Sequence, residues 1–280
     1  MKELIVDNEM ILFDFLRNKL DSSSKNNIKS LLTKKMISVN GKTITKYDYL
    51  LKKDDIINIG VKSIDSSNGS IKILYEDKDF LVVDKPSGLL SVDKDEETKE
   101  KNLFEILEYY VKKRNHNNKL FVVHRLDKDT SGIILFAKTD KLREALQDNW
   151  NELAVRNYYA VVVGKTKDKD TLKSYLKEND KHITYSSKDG KIAITEYKKI
   201  KGNNDYSLLD INIKTGRRNQ IRVQLRDINH PIVGDTKYGL KDKTAKRMML
   251  HAYRLKIKNP VTNKILEFTS DIPKCFNDRV

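Results

Sequence analysis

In the stretch VVHRLDKDTSG, residues 122–132, a histidine, an arginine and two aspartates stand between an apolar run and a glycine. An aspartate can act as a nucleophile only while it is ionised, and a neighbouring guanidinium favours the ionised form. Three other stretches are polar in places where a mere scaffold would not be. They are DKPSG at 84–88, TGRRNQIRVQL at 215–225 and HPIVGDTKYG at 230–239. Arg218 and Arg222 stand four apart and share a face if their stretch is helical, and a guanidinium there can grip a carboxylate with two charge-assisted bonds. The plain alternatives are that Asp127 and Asp129 only cap a turn and that the arginines lie solvated on a helix surface.

Other chemistries find little support. Gly234 and Gly239 have the spacing of a phosphate-binding loop, but Leu240-Lys241 follows where Lys-Ser/Thr is needed, and no Gly-x-Gly-x-x-Gly occurs. No nucleotide or redox cofactor is expected. The five histidines are scattered without metal-ligand spacing, so no metal is expected either. Cys275 is the single cysteine, which excludes an internal disulfide and suggests a reducing compartment. The N-terminus does not read as a signal peptide and no apolar run is long enough to span a membrane, so a cytoplasmic protein is expected. A net charge of +15 over 280 residues favours a polyanionic partner, although a lysine-rich solvated surface would produce the same balance.

The elements that must position these residues follow from periodicity. Leu120–Val123 and Ile133–Ala137 read as buried strands on either side of the first stretch. Residues 71–75 and 80–84 predict a hairpin, residues 103–112 a helix, and Thr139-Asp140 the cap of another helix carrying Leu142, Leu146 and Trp150 inward. Further strands are expected at 158–163, 192–200, 207–213, 251–257 and 265–269. With no βαβ rhythm, the class expected is α+β with a mixed, mainly antiparallel sheet. Upstream, two amphipathic helices at 10–20 and from 22 onward precede a hairpin at Asn40-Gly41 and a strand at 55–60. The Ser, Asn and Gly of residues 63–70 suggest a linker, giving units at 1–62 and 71–280.

Two resemblances sharpen this reading. The sequences IKSLLTKKMISVNGK and LLKKDDIINIG make residues 9–61 similar to the S4-like RNA-binding domain, a small α/β unit. In that family the second helix and the basic turn after it face RNA, which here would offer Lys25, Lys29, Lys34 and Lys35. From about residue 71 to 270 the chain resembles the RluA-type pseudouridine synthases. His-Arg-Leu-Asp with Lys-Asp-Thr-Ser-Gly, Arg156-Asn157-Tyr158-Tyr159-Ala160, Thr215-Gly216-Arg217, Gln220-Ile221-Arg222 and Gly234-Asp235 occur in the family's order.

The resemblance implies that Asp127 is the catalytic nucleophile and Arg222 its partner. It implies that Tyr158 packs on the target uracil and helps move a proton, that Arg125 occupies the space left by a flipped base, and that Leu250 shapes the uracil pocket. Asp129, Lys85 and Arg217 would serve as scaffold or RNA contacts. The chain departs from the family at Asn219, where a histidine is common, and after Gly88, where His-Pro is replaced by Leu-Leu-Ser-Val.

A pairing of an S4-like unit with this catalytic type implies 23S (large-subunit) ribosomal RNA as substrate, with transfer RNA as the alternative, and a monomer is expected. Two rival classes stay open at this level. One is a hydrolase using Asp127 and Asp129 as a carboxylate pair, roughly 6.5–7 Å apart between Cα atoms in an extended strand. The other is a noncatalytic RNA-binding protein that retains the fold.

Overall fold

The computed structural model describes residues 2–20, 25–33, 36–40, 42–59, 62–92, 101–240 and 244–280. Its first elements are β1 (Lys2–Ile5), β2 (Met10–Ile11), α1 (Leu12–Lys19), α2 (Lys25–Thr33), β3 (Ile37–Val39), β4 (Lys42–Thr43), β5 (Leu50–Leu51) and β6 (Ile56–Ile59). Helices this short do not persist alone and need a packed apolar face. Leu12, Phe15 and Leu16 of α1 provide one, joining Ile28 and Leu32 of α2 and Ile37, Val39 and Ile57 in a core of their own. The strands beneath run in the order β1-β6-β3-β4. Asn40 takes φ 49° at the β3–β4 connection, as the expected hairpin turn requires. Lys25 and Lys29 are exposed on α2, while Lys34 and Lys35 lie outside the described residues.

The remaining elements are β7 (Lys62–Ser66), β8 (Gly69–Glu76), β9 (Phe80–Lys85), α3 (Leu103–Lys112), β10 (Phe121–Val122), β11 (Ser131–Ala137), α4 (Asp140–Asp148), α5 (Trp150–Leu153) and β12 (Ala154–Val163). They continue with β13 (Lys169–Glu178), β14 (Thr184–Ser186), β15 (Lys191–Gly202), β16 (Tyr206–Ile213), α6 (Gln220–Asp227), β17 (Leu250–Lys258), β18 (Ile265–Thr269) and α7 (Lys274–Asn277). The strands form one sheet in the order β14-β13-β15-β16-β12-β17-β11-β9-β8-β7, with β10 added to β11 and β18 to β17. Within it β11 and β17 are parallel, and the neighbouring pairs β11–β9 and β12–β17 are antiparallel. This is the expected α+β class with a mixed, mainly antiparallel sheet.

Residues 63–70 are not a linker. Ser63 to Ser66 pair with Ser70 and its neighbours in the β7–β8 hairpin, with Asp65 opposite Ser70 and Ser66 opposite Gly69. Their polarity satisfies the hairpin itself: Ser70 Oγ donates to Asp65 Oδ1 at 3.0 Å and Ser66 Oγ to the Gly69 carbonyl at 2.5 Å. An edge strand meets water on one side, so it carries the serines that a linker also would. Thr43 and Ser63 share a buried hydroxyl–hydroxyl hydrogen bond between the two parts of the chain.

Three local features place the site. Gly132, at φ 115°, lets β11 approach β17 so closely that a Cβ would sit 2.2 Å from the Ala252 carbonyl oxygen. The register of β12 against β17 shifts between Asn157 and Tyr158, a bulge of the kind that re-aims side chains. Helix α6 is buried from Gln220 through Leu225, and the Gln224 amide donates to the Ala193 carbonyl at 3.1 Å. Arg218 does not share that helix with Arg222. Asn219 takes a left-handed conformation (φ 52°) as its N-cap, and Arg218 pairs with exposed-edge Glu178 at 2.5 Å instead.

Candidate active site

The four polar stretches meet. Asp127 opens a turn in which the Thr130 amide donates to the Asp127 carbonyl at 3.2 Å, and residues 84–91 wrap the outside of that turn. Fully buried Lys85 donates from Nζ to the carbonyls of Pro86 (3.0 Å), Leu89 (2.6 Å) and Lys128 (2.9 Å). Burial pulls its ammonium down to about 7. Ser87 Oγ donates to the Asp129 carbonyl at 2.7 Å, and Ser91 Oγ to that of Leu126 at 2.7 Å. DKPSG is therefore the cradle that fixes the backbone around Asp127. His124 accepts the Leu135 amide on Nε2 at 3.0 Å and stacks on Trp150, and burial lowers it to about 3. It is a neutral structural ring.

The carboxylate of Asp127 accepts from Arg222 Nη1 at 2.8 Å. The same guanidinium makes a two-pronged bond to Asp235, from Nε at 2.7 Å and Nη2 at 2.8 Å. Asn219 Oδ1 takes a further bond from Nη1 at 3.0 Å, and Asn219 Nδ2 donates to the Tyr238 hydroxyl at 3.0 Å. Burial works against the Arg222 charge, but the Asp235 and Asp127 carboxylates outweigh it and raise its pKa. Burial likewise works against an ionised Asp235, yet the Arg222 bonds and the Tyr238 and Lys237 amides hold its carboxyl below the ordinary range. Exposure separates the two acids: the Asp235 side chain is 1% exposed and that of Asp127 29%. Asp235 anchors the guanidinium, while Asp127 presents an accessible carboxylate to the cleft.

That cleft, about 80 Å³, is lined by Asp127, Arg125, Tyr158, Arg217, Arg222 and Leu250 together with neighbouring polar and apolar residues. Buried Tyr158 enters from β12 beside the bulge, and burial raises its phenol above the ordinary value, so it is a neutral hydroxyl at physiological pH. Leu250 opens β17 as an apolar wall, and Arg125 is exposed on the approach. Larger hollows exist, such as one of about 540 Å³ bordered by Ile64, Tyr109 and Arg114, but it does not include the Asp127–Arg222 pair.

The structure thus brings Asp127, Tyr158, Arg222, Arg125 and Leu250 into one cleft. Lys25 and Lys29 lie on the small N-terminal unit. The sequence motifs include Gly234-Asp235 but give Asp235 no role, and they mark Asn219 only as a departure from the family's histidine. The signal for Asp235 was its glycine. Gly234 has φ 75°, and a Cβ there would meet the Arg247 carbonyl at 2.2 Å, so a tight, specifically shaped turn presents the acid.

A partly exposed carboxylate held by a buried guanidinium, facing a tyrosine and an apolar wall, defines an enzyme's cleft on an α+β scaffold. The chain belongs to the RNA pseudouridylate synthase family, which it matches over residues 79–227, and it is an isomerase of that class. It is 34% identical to the ribosomal large subunit pseudouridine synthase D of Borreliella burgdorferi, over 93% of this chain and 81% of that one. An RNA pseudouridine synthase of Bacillus subtilis is 31% identical, over 94% of this chain and 89% of its own length. The fold is shared with human RNA pseudouridylate synthase domain containing 4, at a TM-score of 0.61 and 22% identity, covering 73% of this chain and 90% of that one.

Proposed function

We propose that Asp127 is the nucleophile of uridine-to-pseudouridine isomerisation, and that the observation carrying this reading is its ion pair with Arg222, itself clamped by Asp235. The reaction breaks the C1′–N1 bond of uridine, turns the uracil and rejoins it through C5. A proton leaves C5 and one is gained at N1, so no electrons enter or leave. The Asp127 carboxylate assists departure of the uracil as an anion. Arg222 holds that carboxylate through its Nη1 bond, and its anchoring by Asp235 means that it need not reorganise during the step. Tyr158 packs against the uracil and its neutral phenol relays the proton. Leu250 forms the apolar side of the pocket. A uridine stacked in RNA cannot enter such a cleft, so it flips out, and exposed Arg125 occupies the space it vacates.

The preferred substrate is large-subunit ribosomal RNA. Its support is the match to relatives named ribosomal large subunit pseudouridine synthase D, from Borreliella burgdorferi and others. The N-terminal unit is read as an S4-like RNA-binding module using Lys25 and Lys29 on α2 together with Lys34 and Lys35. Its support is the order of its elements and the exposure of Lys25 and Lys29.

The test uses ribosomal RNA from a strain lacking the enzyme. The parent protein should convert uridine to pseudouridine and release no free uracil, while Asp127→Asn should bind the RNA without turning it over. Conversion by Asp127→Asn at the parental rate removes the nucleophile assignment. Stoichiometric uracil release would show a hydrolase.

A further inference from the structure

The cleft holds three guanidinium groups, and Arg222 is neutralised by two carboxylates. Arg217 is not. It is half-buried, and its Nε donates to the Ile192 carbonyl at 3.0 Å, which steadies the side chain. Its Nη1 and Nη2 have no hydrogen-bond or ion-pair partner among the described residues.

The loop that carries Arg217 is built rather than slack. The Gln220 Oε1 atom accepts the Arg217 amide at 3.0 Å and the Thr215 hydroxyl at 2.7 Å. Thr215 Oγ1 in turn accepts the Ile194 amide at 2.9 Å. The guanidinium of buried Arg156 lies directly under Gly216, where a Cβ would be 2.7 Å from its Nη1. Arg217 also borders a second hollow of about 410 Å³, in which Lys177 is paired with Asp189 and Arg218 with Glu178. It lines both that hollow and the catalytic cleft.

A nucleotide that enters the Asp127 cleft base-first leaves its flanking phosphates at the rim. An arginine held at Nε, with its two Nη groups open, offers the paired donors that phosphate oxygens take. We propose that Arg217 is a substrate-binding residue that clamps an internucleotide phosphate next to the flipped uridine and so seats the base over Asp127. This rests on the reading of the cleft as the uridine site.

The experiment measures binding and turnover of large-subunit ribosomal RNA from a strain lacking the enzyme, at several salt concentrations, for the parent, Arg217→Gln and Arg217→Lys. Loss of one phosphate contact should flatten the slope of log affinity against log salt by about 0.7–0.9. Arg217→Gln should raise KM several-fold more than it lowers kcat, and Arg217→Lys should restore most of the slope because a point charge persists. An Arg217→Gln protein with the parental salt slope, or one that loses kcat with KM unmoved, overturns the proposal. If the parent protein binds this RNA but converts no uridine, the uridine reading fails, and the binding slopes alone still decide whether Arg217 holds a phosphate.

Discussion

Replacing Asp235 by Asn tests the division of labour between the two acids that flank Arg222. The substitution keeps volume and leaves Oδ1 free to accept the Lys237 and Tyr238 amides, both at 3.0 Å. It removes the charge that faces Arg222 Nε and sets an amide N–H against a guanidinium N–H. The side chains of Asp235 and Arg222 are 1% and 9% exposed, so water can compensate little. Removing one partner of such a buried pair costs about 3–5 kcal/mol. At about 2–4 °C per kcal/mol for a domain of this size, the midpoint of thermal unfolding should fall by roughly 6–20 °C. Asp127→Asn removes a partner that is 29% exposed, where solvent screening reduces the loss to about 1 kcal/mol or less. Turnover should order the other way, with Asp127→Asn inactive and Asp235→Asn retaining residual activity at a temperature where it is folded. Urea and thermal unfolding of both single variants and the double variant, alongside turnover of ribosomal RNA, read these effects. If Asp235→Asn unfolds within about 1 kcal/mol of the parent, or if Asp127→Asn is the more destabilising change, the anchor-and-reagent assignment is refuted.

Other outcomes follow from the same geometry. Burial holds His251 at about 3 while it is 3% exposed, so its folded pKa lies below its unfolded value near 6.5. The unfolded state therefore binds more protons between those values, and stability should fall by up to about 1.4 kcal/mol per pH unit from this residue as pH drops from 6.5 toward 3; urea midpoints that stay level across that range in the parent would contradict this. Gly132→Ala should prevent stable folding or cost more than about 3 kcal/mol, because φ 115° and the 2.2 Å approach of the Ala252 carbonyl both oppose a side chain, and soluble protein with parental unfolding would show that β11 and β17 part easily. Lys25→Glu with Lys29→Glu should weaken binding of structured RNA and flatten its salt dependence while leaving turnover of small RNA fragments, and an unchanged salt slope would remove α2 from the RNA surface.

Much of the scaffold was legible because it depends on neighbours in the chain. The apolar run 133–137 is a fully buried strand, and Leu103, Leu107 and Val111 mark the inward face of α3. The Asn102–Glu105 capping box that starts α3 and the Thr139 cap of α4 are contacts over three residues. In the cleft, the presence of Asp127, Tyr158 and Arg222 could be read from ordered motifs. Their joint geometry could not. Asp127 and Arg222 are 95 residues apart and meet only because β11, β17 and β12 set the spacing between the turn at 127–130 and the base of α6. The four-residue spacing of Arg218 and Arg222 would put them on one face if the stretch were helical, but the left-handed Asn219 caps a helix that starts at Gln220, and Arg218 pairs with Glu178.

The polar residues 63–70 looked like a linker because composition reports solvation and not pairing, and only a partner strand turns Ser and Asp into an edge hairpin. Asp235 shows the limit most clearly. An aspartate after a glycine is locally a turn residue, and the glycine marks the turn without revealing which partner the acid will meet. Its buried charge becomes tolerable, and its role definite, only when folding delivers the Arg222 guanidinium to it, because an ion pair inside a protein is stable only where both members are brought together with their hydrogen bonds made.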